Sequence, residues 1–176
     1  MLIGRRTIGT VGTMSGILSI PTPFVESYNQ MIQYNSEYLV QPTERINYIA
    51  ASVSDHAFAR NSLVEQFQGD WLLMLDTDHT FEPDILARML HFMGKYDLNV
   101  LCVPYVYKGD PHPPVLFGWN PKTKMSYKIG DWDRKAEVMP IHSSGAGCLL
   151  VRKGVYDLMA KKFPEGAFCA GAGCKK

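Results

Sequence analysis

Two aspartates, Asp76 and Asp78, follow five consecutive apolar residues at positions 71–75. An apolar run of that length is typical of a strand buried on both faces of a sheet. Residues i and i+2 of an extended chain share a face, so both carboxylates can meet one ligand or one ion. Carboxylates so close repel each other unless a cation lies between them, and Mg²⁺ or Mn²⁺ with a phosphate is the usual arrangement. The alternative is a solvated acidic turn that caps the next helix, with His79 either assisting a metal or facing water.

The elements that must position this pair follow from the hydrophobic pattern. Strands are predicted over residues 7–13, 45–53, 71–75, 99–107 and 148–151, with a hairpin of 115–119 and 125–129. Helices are predicted over residues 24–38, from a cap at Ser54 and Asp55 to Gly69, over 83–96 and over 153–162. This alternation indicates right-handed βαβ units. We therefore expect an α/β fold with a mostly parallel central sheet flanked by helices, in which the carboxyl ends of the strands open into the ligand crevice.

Composition limits the class of protein. The chain has 176 residues, 46% of them hydrophobic, which suits a single domain with a sizeable core. Lys and Arg number 18 against 17 Asp and Glu, so neither a nucleic acid nor an anionic membrane is expected as a partner. No apolar run approaches the roughly 18 to 20 residues of a membrane span, and residues 1–6 lack the apolar core of a signal peptide. We expect a cytoplasmic protein without a membrane span. The sequence does not indicate its oligomeric state.

Other segments carry residues suited to binding. The first predicted strand has small residues around Thr10, which let a ligand approach, and Arg60 lies on the helix that precedes the central strand. A second acidic turn holds Asp131 and Asp133, and His142 opens a loop of small residues. Arg60 can equally be interpreted as a surface residue paired with a nearby acid, and His142 as an ordinary loop residue.

Three segments occur in the order found in glycosyltransferases of the GT-A fold, and the chain resembles family 2 of these enzymes over about residues 7–163. Ala-Arg-Asn at 59–61 precedes by about fifteen residues the sequence Asp-Thr-Asp at 76–78, which resembles the DxD motif. Segment 144–153 resembles the glycine-rich loop that enters a helix beside the acceptor site. The resemblance implies transfer of a sugar from a nucleotide-diphosphate donor to an acceptor, with Mn²⁺ or Mg²⁺ between the diphosphate and the aspartates.

The resemblance also assigns roles to residues and divides the single domain of residues 1–176. Asp76 and Asp78 form the metal site, in which Asp78 would bind the metal directly and Asp76 would contact the ribose or the sugar. The donor-binding residues are then Thr10, Arg60, Asp76 and Asp78, and the acceptor-side residues are His142, Ser144 and Gly145. The nucleotide-binding half spans about residues 7–107, the acceptor-side segment about 108–163, and an irregular tail 164–176.

One departure from the family pattern concerns the catalytic base. Family members continue past the glycine-rich helix into an acidic motif, often Glu-Asp, whose aspartate is the general base, and this sequence has no Glu-Asp pair. We nominate Asp131 and Asp133 as the alternatives, because their loop can reach the cleft. We also expect the chain to be truncated at its C-terminus, and therefore to bind the donor but to transfer sugar poorly or not at all.

Two other enzyme classes and a binding module stay open. Residues 76–80 also fit the DxDxT motif of haloacid-dehalogenase-like phosphatases, in which the first aspartate, here Asp76, attacks phosphorus. A nucleotidyltransferase would share the sheet, but segment 12–16 lacks the basic residue expected after its first strand. A non-catalytic or truncated nucleotide-sugar-binding domain would keep the donor site without turnover.

Overall fold

The computed structural model describes residues 5–15, 20–52, 55–106, 114–130, 133, 135–164, 166 and 168. The strands are β1 (Arg6–Ser15), β2 (Glu44–Ser52), β3 (Trp71–Asp76), β4 (Val100–Cys102), β5 (Leu116–Asn120), β6 (Met125–Lys128), β7 (Ser143–Ser144) and β8 (Cys148–Arg152). The helices are α1 (Thr22–Tyr34), which continues into a π-helical turn at Asn35–Leu39, α2 (His56–Gln66), α3 (Ile85–Lys95) and α4 (Lys153–Lys162). No helix in these ranges has the length and apolarity that crossing a membrane requires.

The central sheet has five strands in the order β2-β1-β3-β8-β4. β1 pairs in parallel with β2 and β3, whereas β8 runs antiparallel to both of its neighbours, β3 and β4. Four strands therefore point in one direction, as the sequence predicts, and β8 makes the sheet mixed. Met14 of β1 pairs with Asp76 at the last position of β3, so the acidic pair leaves the sheet at its carboxyl edge.

Helices cover both faces of this sheet at β3. Leu72 and Met74 belong to a buried cluster with residues of α2 and α4. The alternate residues Leu73 and Leu75 belong to a second buried cluster with residues of α1 and α3. All four side chains are fully buried, and burial of each contributes about 1.5–3 kcal/mol. β3 is thus the strand buried on both faces that the sequence predicts, and its packing fixes the position of Asp76.

A second sheet has three antiparallel strands in the order β6-β5-β7. β5 and β6 form the predicted hairpin, and the side chain of Asn120 closes its turn by accepting hydrogen bonds from the backbone N–H groups of Lys122 and Thr123. In the β5–β7 pair, Leu116 lies opposite Ser144. This sheet therefore holds the start of the glycine-rich loop.

Several predicted elements have different bounds in the structure, and the helix predicted to run to Gly69 ends as α2 at Gln66. Of the strand predicted over residues 99–107, the part at Val100–Cys102 forms β4, and Pro104 lacks the N–H that would continue the hydrogen-bonded ladder; residue 107 lies outside the described residues. The helix predicted from residue 83 begins as α3 at Ile85, after a turn that the Ile85 N–H closes by donating to the Glu82 carbonyl. The helix predicted over residues 24–38 changes to the wider π-helical turn after Tyr34.

Candidate functional site

Three side chains converge where β3 ends. Carboxylate oxygens of Asp76 and Asp78 and a ring nitrogen of His79 all lie within 4.8 Å of one another. Nε2 of His79 is 3.4 Å from Oδ1 of Asp78, and Thr77 between the two aspartates is buried in the turn. Two carboxylates and an imidazole can serve together as ligands of a divalent cation, and carboxylate oxygens suit Mn²⁺ or Mg²⁺. The structure thus brings the predicted pair together and adds His79 to it.

Asp76 is the less exposed carboxylate of the pair. Burial raises the pKa of Asp76 above its ordinary value of 3.8, Arg60 opposes this shift, and Asp78 adds to it. Because the folded chain holds this proton more tightly than the unfolded chain, the free energy of unfolding falls as the pH rises through the window above 3.8. A cation bound to the ionised carboxylate would offset that loss of stability. Asp76 is therefore a carboxylate whose charged form burial disfavours and whose neighbour Arg60 partly compensates.

Arg60 reaches this cluster from α2. Its Nη2 atom lies 3.3 Å from Oδ1 and 3.5 Å from Oδ2 of Asp76. Asp55 caps α2 by accepting a hydrogen bond from the backbone N–H of Phe58 at 2.9 Å, as predicted, whereas Ser54 lies outside the described residues. Leu63, one turn beyond Arg60, is fully buried in the core. The helix therefore holds the guanidinium at the acidic end of β3, and the nearby acid that pairs with Arg60 is Asp76.

The glycine-rich loop crosses the same end of β3. The backbone N–H of Asp76 donates to the carbonyl of Gly147 at 2.9 Å. A Cβ atom at Gly147 would lie 2.5 Å from Nε2 of His79, and one at Gly145 would overlap the hydroxyl of Tyr105. The rings of His79 and Tyr105 are themselves 4.7 Å apart. A side chain at either position would displace one of these rings, so glycine lets the loop approach the cluster with both rings in place.

A cavity of about 830 Å³ begins at this loop and extends along β4. Four of the residues that line it belong to the predicted acceptor side or the predicted base, namely Asp133, His142, Ser144 and Gly145. Most of the others are apolar, and they include Leu98, Val100, Leu101, Cys102, Leu116, Val138, Met139, Ile141 and Leu149. The structure therefore gathers these predicted residues around one largely apolar space.

Two carboxylates are found among the described residues that line the cavity, Asp133 and Glu137. Glu137 accepts hydrogen bonds from Lys95 and Tyr96. These bonds, the one from Lys95 most, hold the pKa of its carboxyl below the ordinary value. Asp133 accepts a hydrogen bond from the backbone N–H of Lys135 at 2.9 Å. Asp131, the other predicted base, lies outside the described residues.

Thr10 does not belong to this constellation. Its side chain is fully buried, and its hydroxyl donates to the carbonyl of Gln68 at 2.8 Å and accepts from the N–H of Gln68 at 2.9 Å. Thr10 lies four residues before Met14 along β1, which is about 13 Å from the carboxyl edge of the sheet at 3.3 Å per residue. Thr10 is thus bonded to Gln68 away from the acidic cluster, and its contact with a donor stays a prediction.

The fold and the cluster define an α/β domain with a candidate cation site at the carboxyl edge of its sheet. The chain matches the family model of glycosyl transferase family 2 over residues 32–155, which is more than half of its length. The chain therefore belongs to glycosyl transferase family 2. The match includes residues 76–80, so the family accounts for this motif, and the phosphatase alternative has no separate support.

Comparison with other proteins adds little to this assignment. One similar solved structure is the 4-diphosphocytidyl-2C-methyl-D-erythritol synthase from Anaerococcus prevotii DSM 20548, with 9% identity and a TM-score of 0.48. The alignment covers 96% of this chain and 80% of that chain. At this identity and score the likeness carries no functional argument. A search of curated proteins gave no match.

Proposed function

We propose that this protein binds a nucleotide-diphosphate sugar together with Mn²⁺ or Mg²⁺ and transfers the sugar to an acceptor. The observation that carries the proposal is the convergence of Asp76, Asp78 and His79 at the end of β3 in a family 2 domain. Asp78, the more exposed carboxylate, would hold the cation, and Asp76 would share it or meet the sugar or ribose. A divalent cation at this position supplies positive charge to the leaving diphosphate.

On the donor side, Arg60 has two roles in this proposal. Its guanidinium partly offsets the charge of Asp76 in the absence of a ligand, and it provides N–H donors suited to an anionic ligand. The position of Arg60 on a capped and packed helix keeps it near Asp76 without a loop rearrangement. This half of the domain, about residues 7–107, would accordingly bind the nucleotide.

On the acceptor side, we assign the cavity along β4 to the acceptor. His142, Ser144 and Gly145 line the cavity, and Gly145 contacts Tyr105, whose ring lies against His79. The apolar lining favours an acceptor with an apolar portion, because such a surface gains about 25 cal/mol per Å² when it leaves water. Trp119, which is 45% exposed and stacks on His142 at 4.8 Å, offers a face for a sugar ring.

The test measures binding and turnover separately in the 176-residue chain. Calorimetry would measure the binding of UDP, GDP, CDP, ADP and dTDP, each with MnCl₂ or with excess EDTA. Hydrolysis and transfer assays would then use nucleotide-diphosphate sugars of the nucleotide that binds. Metal-dependent binding with release of the nucleoside diphosphate supports a transferase. Metal-dependent binding without turnover supports the alternative of a non-catalytic nucleotide-sugar-binding domain. Binding that is equal with EDTA would contradict the metal site.

Replacement of Arg60 should affect both affinity and its pH dependence. We expect Arg60→Ala to weaken binding of the nucleoside diphosphate with Mn²⁺ about 10- to 100-fold, since hydrogen bonds to charged groups contribute about 1.5–3 kcal/mol. Arg60 opposes the raised pKa of Asp76, so its loss lets this pKa rise further. Metal binding needs the ionised carboxylate, and the acid limb of binding should therefore move to higher pH. Calorimetry from pH 5 to pH 8 would measure both effects.

The matched control for Arg60→Ala is Arg88→Ala on α3. Arg88 forms an exposed ion pair with Asp84 one turn away, and exposed pairs contribute about 0–1 kcal/mol. This control should keep the affinity and the pH profile of the parent chain. If Arg60→Ala keeps the parent's affinity and the parent's pH dependence of binding, the assignment of Arg60 to the donor site is wrong.

The glycine-rich loop provides a test of His79. In Gly147→Ala the new Cβ would lie 2.5 Å from Nε2 of His79, so the imidazole must move away from the cluster. We expect Mn²⁺ affinity to fall about tenfold, the lower range for disturbance of groups that orient a metal site. Calorimetry with Mn²⁺ and the nucleotide that binds would measure it. Gly154→Ala is the control, because a Cβ there meets no atom within 4 Å, and equal affinities in both variants would exclude His79 from the site.

A further inference from the structure

Asn61 holds a residue 107 positions further along the chain. Its Nδ2 donates to the carbonyl of Phe168 at 2.9 Å, and its Oδ1 accepts from the N–H of Phe168 at 2.8 Å. One side-chain amide thus satisfies both backbone groups of Phe168, as a neighbouring strand would. The chain comes close to Asn61 at Gly166, where a Cβ would lie 2.6 Å from Nδ2 of Asn61 and where φ is +133°. The two hydrogen bonds depend on the amide of Asn61. The close approach and the positive φ favour glycine at position 166.

The docked segment places an aromatic ring against Arg60. The guanidinium carbon of Arg60 is 5.9 Å from the centroid of the Phe168 ring, within the range of a cation–π contact. The Arg60 side chain is only 18% exposed, and its Nε atom is buried without a hydrogen-bond partner. The guanidinium is thus confined between the ring of Phe168 and the carboxylate of Asp76.

We propose that Phe168, held by Asn61, is a positioning residue that keeps Arg60 directed at Asp76. The ring excludes water from one side of the guanidinium, and removal of water strengthens the attraction between Arg60 and an anion. The ring also restricts the rotamers of a long side chain that would otherwise lose conformational entropy on binding. The consequence for the nucleotide rests on the proposed function, because it requires that Arg60 meets the donor.

The first experiment needs no ligand. NMR of the 176-residue chain would follow solvent exchange of the Arg60 Nε proton in Phe168→Leu, which keeps apolar bulk and loses the ring, and in Phe168→Trp, which keeps an aromatic face. Exchange should be several-fold faster in Phe168→Leu and in Asn61→Ala, and close to that of the parent in Phe168→Trp. Equal exchange in Phe168→Leu and the parent would overturn the proposal.

The second experiment measures affinity for the nucleoside diphosphate that the parent binds with Mn²⁺. Phe168→Leu should weaken binding about 3- to 30-fold, the range of a cation–π contact that is partly removed from water, and Phe168→Trp should restore it. In the Arg60→Ala background, Phe168→Leu should cause no further loss, because its effect passes through Arg60. Equal losses in both backgrounds would show a general structural effect and overturn the proposal. If the parent binds no nucleotide, the proposed function fails, while the exchange experiment still decides whether Phe168 positions Arg60.

Discussion

Asp78→Asn is expected to lower affinity for a nucleoside diphosphate with Mn²⁺ by about 100-fold, or about 2.8 kcal/mol at 1.4 kcal/mol per tenfold change. The amide is neutral, so the substitution removes one of the two negative charges that would face the proposed cation. Oδ1 of Asp78 also lies 3.4 Å from Nε2 of His79, so the substitution changes the nearest neighbour of that imidazole. Calorimetry with and without EDTA would measure the metal-dependent part of the affinity.

The chain offers a control residue at the opposite end of β3. Asp70 stands directly before β3 at its other end, where it pairs with Arg6 at 2.8 Å and is 69% exposed. Asp70→Asn makes the same chemical change about 20 Å from the cluster, at 3.3 Å per residue, and should leave the affinity unchanged. Equal losses in Asp70→Asn and Asp78→Asn would point to a general effect of charge. Retained metal dependence in Asp78→Asn would mean that the cation is held elsewhere.

The sequence predicts those parts of the fold that depend on local signals. β3 is recognisable because its first five positions are apolar and its last is charged, and its burial on both faces follows from that pattern. α2 begins where Asp55 can accept a hydrogen bond from the third residue after it. The bounds of α4, Lys153–Lys162, agree with the prediction, because polar and apolar residues alternate there with a helical period. Each of these features is encoded within about ten residues.

Features that depend on distant contacts are not predictable in this way. Cys148–Arg152 can be recognised as a strand, but its insertion between β3 and β4 and its reversed direction depend on pairing across the whole domain. The hydrogen bond of Thr10 is to Gln68, which is 58 positions away, and the contact of Phe168 with Arg60 also joins distant segments. Tyr105, which links the acidic cluster to the glycine-rich loop, carries no signal in the sequence that distinguishes it from a core aromatic residue.

Asp133→Asn is expected to slow sugar transfer about 10²- to 10⁴-fold while leaving nucleotide affinity unchanged, because a positioned base accelerates proton removal by that amount. Asp133 lines the proposed acceptor cavity and is not among the residues of the cation cluster. A general base must be free to accept a proton from the acceptor hydroxyl. Single-turnover transfer assays at saturating donor would separate this step from donor binding.

Glu137→Gln is the matched control, since it changes the other carboxylate among the described residues that line the cavity. Hydrogen bonds from Lys95 and Tyr96 hold the pKa of Glu137 below its ordinary value, which makes this carboxylate a weak base. We therefore expect Glu137→Gln to keep most of the transfer rate. If Asp133→Asn keeps the parent's rate and His142→Asn loses it, the base is the imidazole that lines the same cavity. If all three variants keep the rate, the acceptor hydroxyl loses its proton outside this cavity, and the assignment of the cavity to the acceptor is wrong.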